Sequence, residues 1–238
     1  MSQRRFLLAL SLMTLPVSAK VATIGSCPYT ITAPGQYHLA QDLVCTGFAA
    51  ITISSDNVEL HLDSHTISGN AFYGVYAVGS NESILGQGAI NAFEFGIWVQ
   101  GSGNRIVNVN ASAFIGINVV FSDNATVLNC STSGTGAPLS IGIQVLGSQN
   151  ASLISNIATS FDTGIALLSS RNNMVRSNKA NSNTTSGILA DNNSGENQFQ
   201  SNFVYNNATD LLDLNAACGT DTWKGNHFGT ANPATCIQ

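Results

Sequence analysis

From Gly74 to Ala208 the chain writes one short pattern of apolar and polar positions six times. Each copy opens on Gly and then sets two apolar residues around one variable residue. The openings are Gly74-Val-Tyr-Ala, Gly96-Ile-Trp-Val, Gly116-Ile-Asn-Val, Gly142-Ile-Gln-Val, Gly164-Ile-Ala-Leu and Gly187-Ile-Leu-Ala, at steps of 22, 20, 26, 22 and 23 residues. Five copies carry a serine six residues after the glycine: Ser80, Ser102, Ser122, Ser148 and Ser170. A second apolar residue follows, with a turn residue three places later: Val107 with Asn110, Val127 with Cys130, Leu153 with Asn156, Val175 with Asn178, and Phe199 with Asn202.

The apolar alternation has period two and lasts three or four residues, which is strand periodicity and too short for a helix. Val, Ile and Thr suit strands, and the intervening Gly, Asn and Ser suit tight turns. A unit of this length cannot bury its apolar side alone but can when stacked on copies of itself. The pattern therefore predicts an all-β fold, a parallel β-helix of about seven to eight coils. Val75, Ile97, Ile117, Ile143, Ile165 and Ile188 are placed inside. Asn110, Asn156, Asn178, Asn202 and Asn226 are expected to stack as a ladder of amides hydrogen-bonded from coil to coil, with Cys130 a buried thiol in the same column.

The repeat, the Asn column and the phrases Ile31-Thr-Ala-Pro-Gly-Gln-Tyr, Asp63-Ser-His-Thr-Ile-Ser-Gly and Asn226-His-Phe-Gly-Thr-Ala-Asn-Pro resemble the secreted right-handed parallel β-helix proteins of the pectin-lyase-like superfamily. The resemblance covers nearly all of the chain after residue 19. It implies a right-handed coil and a polysaccharide-related setting, since lyases, hydrolases, epimerases and phage tailspikes share the architecture. It does not imply catalysis. The Asn-Thr-Asp and His-Gly motifs of polygalacturonases and the Asp-Pro-His pattern of alginate epimerases are absent, and Arg105-Ile-Val is too short a match to an Arg-Ile-Lys motif.

Along the chain, residues 1–19 read as a secretory signal peptide: Arg4 and Arg5, an apolar run from Phe6 to Leu15, and Val17-Ser-Ala before the cleavage point. Its removal takes the net charge from −5 to −7, which argues against nucleic acid as a partner. No other stretch is apolar enough to span a membrane. Residues 20–49 are expected to cap the stack, 50–209 to hold the repeats, and 210–238 to form a closing coil and cap. Cys27 with Cys45 and Cys218 with Cys236 are natural local disulfides for an exported protein, secreted or periplasmic; four free thiols remain the alternative. Eight Asn-x-Ser/Thr triplets, among them Asn81, Asn110, Asn124 and Asn150, read as turn and ladder positions rather than glycan acceptors.

Candidate chemistry is sparse. Glu59, His61 and Asp63 alternate outward on one strand with His65 just beyond, the densest ionisable group in the chain. Such a set suits acid–base work or a weak metal site, although polar residues on a first coil commonly only face water. Arg105 and Arg176 fall in different columns, and Glu82, Arg105 and Asp123 read as a surface charge patch. No metal and no cofactor are expected. The residue two places after each repeat glycine must face outward. That column begins Tyr76, Trp98, Asn118 and Gln144, two rings and two amides suited to an extended sugar chain. The expected function is a non-catalytic carbohydrate-binding or scaffold protein. The alternative is a uronate lyase or epimerase working from residues 59–65.

Overall fold

The computed structural model describes residues 20–238; the expected signal peptide, residues 1–19, lies outside them. The chain winds into a parallel β-solenoid of about nine turns. Three sheets run along its length. The first has ten strands, from Lys20–Ile24 to Thr222–Lys224. The second runs from Tyr29–Ile31 to Ala231–Asn232. The third runs from Leu43–Cys45 to His227–Phe228. The strands Ala89–Gln100 and Asn110–Val120 pass through the corner and serve both the second and the third. The turn count exceeds the expected seven to eight. The reason is that residues 20–48 and the final segment pair in the same register as the repeats.

The register places Ile51, Val75, Ile97, Ile117, Ile143, Ile165, Ile188 and Leu211 in one column, each fully buried. A second column lines the core from the first sheet and ends where Phe199 stacks on Trp223, centroids 3.8 Å apart. The repeat glycines have a steric cause. A Cβ on Gly74, Gly96, Gly116 or Gly142 would lie 2.5–2.6 Å from the carbonyl oxygen of the glycine in the next coil. Only a hydrogen fits between coils at that corner.

Turn ladders tie the coils together. Asn178 Oδ1 accepts from the backbone N–H and the side-chain amide of Asn156, and Asn202 and Asn226 repeat the pattern below it. Cys130 occupies this column, donates its N–H to Asn156 Oδ1 and is buried as a free thiol. Burial pushes that thiol up to about 11. Asn110 does not join the ladder. It pairs with Ser131, is exposed, and leaves the rung above Cys130 to Val109; the inward residue of the preceding strand is likewise Ile106, not Val107. Two further ladders run through Asn173 and Asn197 to Asp221, and through Asn183 and Asn207 to Asp210. A serine ladder links Ser122, Ser148, Ser170 and Ser194 through N–H to Oγ bonds.

Both expected disulfides form, Cys27 to Cys45 and Cys218 to Cys236. No helix among the described residues is long and apolar enough to cross a membrane.

Glu82 departs from its expected place in a surface patch. It is 1% exposed, and neither carboxylate oxygen has a hydrogen-bond partner. Its backbone N–H donates to Asn104 Oδ1, which holds it in the turn column of that ladder. Desolvation, with Asp56 nearby, pushes its carboxyl up to about 8.

Two outcomes follow. Ile143→Ala should cost about 2–5 kcal/mol in denaturant unfolding, as for other buried aliphatic truncations; a cost near zero would mean the column is wrong. Glu82 keeps its proton in the folded state to about pH 8, whereas its ordinary value is 4.5. The unfolded chain releases that proton first, so stability falls as pH rises through this window. Asp221, pushed up to about 6 by burial, adds the same sign at the lower end. Glu82→Gln should therefore flatten the melting temperature measured between pH 6 and 8, with a larger gain at pH 8 than at pH 5.

Candidate functional site

The outward column of the second sheet is where the rings collect. Thr52, Tyr76, Trp98, Asn118, Gln144 and Ala166 are consecutive register partners. Their neighbours on either side along each strand are buried. The alternation that sends Val75 and Ala77 inward thus sends Tyr76 outward. A second outward column stands one residue before each repeat glycine: Tyr73, Phe95, Ile115 and Ile141.

These two columns and the loops leading into them form one aromatic surface. Tyr73 lies at its centre, with ring centroids 4.8 Å from Tyr76, 5.2 Å from Phe95 and 5.7 Å from Trp98. Phe72 packs on Tyr73 at 4.8 Å and on Phe95 at 5.3 Å. Phe48 packs on Tyr73 at 5.1 Å and on Tyr76 at 5.3 Å. Tyr73, Tyr76, Phe95 and Trp98 are half-buried, while Phe48 and Phe72 are 61% and 47% exposed. Partial burial, reinforced by Tyr76, raises the Tyr73 phenol above its ordinary value, so the Tyr73 hydroxyl stays a neutral donor and acceptor at neutral pH.

At the foot of the surface two polar atoms lack partners. Trp98 Nε1 and Asn118 Oδ1, on adjacent rungs, are shut off from water and hydrogen-bonded to nothing. A donor and an acceptor one rung apart, both unsatisfied, are costly to leave so. Asn118 and Gln144 are themselves buried, although their column faces outward. Beside the rings lies a shallow cleft of about 450 Å³, lined by Asn70, Phe72, Phe93 and Glu94 among others. It shares Ala92 and Phe93 with a second cleft of about 380 Å³ that runs along the corner past Phe114 and Ser133.

The structure thus brings Tyr76, Trp98, Asn118 and Gln144 together in consecutive rungs. It adds Phe48, Phe72, Tyr73 and Phe95, which the sequence reading missed. The signal was present in Tyr73 and Phe95, each directly before a repeat glycine. The ionisable group stands elsewhere, on the outer face of the first sheet and in the turn after it. Glu59 and His61 lie on one strand, Asp63 in the turn, and His65 pairs instead with Asp42, Nδ1 to Oδ1 at 3.3 Å. The Thr66 N–H bond, assisted by His65, holds the Asp42 carboxyl below its ordinary value. Among the described residues, neither Arg105 nor Asp123 forms an ion pair with Glu82.

Two solved structures are similar to this chain, the first of them closely enough to share its winding. The Dettilon tailspike protein superposes with a TM-score of 0.55 at 13% identity, over 89% of this chain and 54% of that one. The chain thus spans about half the length of the tailspike. The A-module of the Azotobacter vinelandii mannuronan C-5 epimerase AlgE4 gives a TM-score of 0.47 at 9% identity, over 90% of this chain and 80% of that one. No protein of curated function matches the sequence. The family described as the right handed beta helix region matches residues 49–237. With the register, the inward columns and that match together, the chain belongs to the right-handed β-helix family, in keeping with the pectin-lyase-like superfamily that its repeat resembles.

Proposed function

We propose that this is an exported β-helix protein that binds an extracellular glycan on the aromatic surface of its second sheet. The observation that carries the reading is the contiguous set of six rings, two of them largely exposed, with an unpartnered Trp98 N–H and Asn118 carbonyl at its foot. Rings offer their faces to the apolar C–H face of a sugar. A sugar hydroxyl both donates and accepts, so it satisfies an indole N–H and an amide oxygen at once when the Trp98 and Asn118 side chains turn to open these closed atoms. Rungs about 4.8 Å apart suit a chain laid along the solenoid axis from Tyr76 toward Gln144. The polar wall of the neighbouring cleft, Asn70 and Glu94, supplies further partners for hydroxyls. Export is supported by the signal-like start and by two disulfides, which persist in oxidising compartments. The lyase or epimerase alternative would have to work from residues 59–65, on a different sheet from the rings.

Retention on a panel of insoluble polysaccharides tests the reading. Trp98→Ala should weaken binding by roughly 30-fold, the equivalent of losing an anchor of about 2 kcal/mol, with an unchanged circular dichroism spectrum. Equal retention of the variant and the parent would remove the surface from consideration. A uronate polymer assay at the absorbance of unsaturated products, run in parallel, would reveal a lyase.

A further inference from the structure

The outer face of the first sheet carries a second constellation, independent of the glycan surface. His38 and His61 are register partners on neighbouring coils. Their rings lie face to face, centroids 4.4 Å apart and planes 5° apart. His38 Nδ1 is 2.7 Å from Asp63 Oδ2. Glu59 Oε2 is 3.5 Å from His61 Nε2 and accepts from Gln36 Nε2 at 2.9 Å. The two histidines are about a quarter to a third exposed, at 26% and 32% for His61 and His38. Yet His61 Nε2 itself is closed off from water and makes no hydrogen bond.

Two features separate this set from an ordinary surface ion pair. The stack brings imidazole nitrogens from two neighbouring coils to one place on the outer face, with the Asp63 carboxylate beside them. The desolvated His61 nitrogen makes no hydrogen bond, with Glu59 Oε2 standing off at 3.5 Å, and a buried polar atom left so is costly. The His65–Asp42 pair nearby has neither feature.

We propose that His38, His61 and Asp63 bind one divalent transition-metal ion of the zinc or copper class, with Glu59 as the fourth donor. One donor atom from each of the three residues lies within 4.8 Å of the others. Two ligands of a tetrahedral zinc stand roughly 3.4 Å apart, so the wider-spaced donors must draw in while His38 Nδ1 and Asp63 Oδ2, at 2.7 Å, move apart and the two rings turn out of their parallel stack. Side-chain rotation of half-exposed residues supplies that. Imidazole with carboxylate is a donor set for zinc, copper or nickel, whereas calcium and magnesium take oxygen donors. The bound ion would clip the strand Gly35–Leu39 to the strand Val58–His61, next to the coil closed by Cys27 and Cys45. The sequence alone points to no metal here, because polar residues on a first coil commonly only face water. The missing ligand, His38, stands 23 residues before His61, one coil length away.

The test uses the full chain and the metal alone. Calorimetric titration with zinc chloride in a non-chelating buffer should show one equivalent bound, undisturbed by millimolar calcium. Loss of an outer-shell partner typically weakens a metal site 10–100-fold, so His38→Gln or His61→Gln should weaken it by at least about 10-fold. His227→Gln, the histidine at the far end that stacks on Phe203, should change nothing. Asp63→Asn serves as a further variant, since asparagine tolerates the left-handed backbone at this turn. With cupric ion, electron paramagnetic resonance should show two coordinated nitrogens. The proposal is overturned if the His38→Gln/His61→Gln double variant binds zinc as tightly as the parent, if the bound equivalent disappears with His227, or if the cupric spectrum shows fewer than two nitrogens.

Discussion

At one corner of the solenoid, successive coils come so close that a single methyl group would strike the backbone below. A Cβ at Gly96 would meet Gly116 O at 2.5 Å, and one at Gly142 would meet Gly164 O at the same distance. The rest of the structure depends on this approach. It fixes where each coil begins relative to the next, and with a side-chain period of two it fixes which residues face in. The inward isoleucines, the outward rings and the stacked histidines are all consequences of one register. A coil slipped by one residue would send Ile143 to solvent and Gln144 into the core.

The same dependence explains what could be seen in the sequence. The glycine spacing and the apolar pairs revealed the solenoid, the inward column and the outward column, because these are periodic and steric. The reading slipped at Ile106-Val-Asn-Val-Asn110, where Val107 with Asn110 fits the spacing of the other coils but the chain turns Ile106 and Val109 inward instead. The ladders through Asn173 and Asn183 were hidden for the opposite reason. Asparagine is so frequent in the turns that no single one stands out until its partner one coil away is known. Glu82 was misjudged because a charged residue beside Asn81 in a turn is normally solvated, whereas this turn folds it inward.

The surfaces were legible only in part, since each side-chain group on a solenoid is assembled from several coils. Tyr76 and Trp98 share the place two residues after a repeat glycine and so declare themselves. Phe48 and Phe72 hold equivalent places one coil apart, but the earlier coil has Ala50 where the repeats have glycine, so the period did not show there. His38 precedes the regular repeats altogether. For this architecture the informative comparison is between residues one coil apart, not between neighbours along a strand.

The asparagine ladders have a direction. Each asparagine rung gives its backbone N–H and one amide N–H to the oxygen of the next; one ladder finishes on Asp221 a coil further on, another on Asp210 three residues after Asn207, and each carboxylate accepts both donors of the last asparagine. An ionised aspartate has nothing to pass on from its side chain. It works as a full stop in a grammar of amides. A whole coil copied between Asn156 and Asn178 would read through without a break, whereas one appended after Asp221 would find no amide offered to it. Two of the three asparagine ladders thus close on the exchange of one nitrogen for one oxygen, while the third ends on Asn226, whose amide donates to Gln238 O.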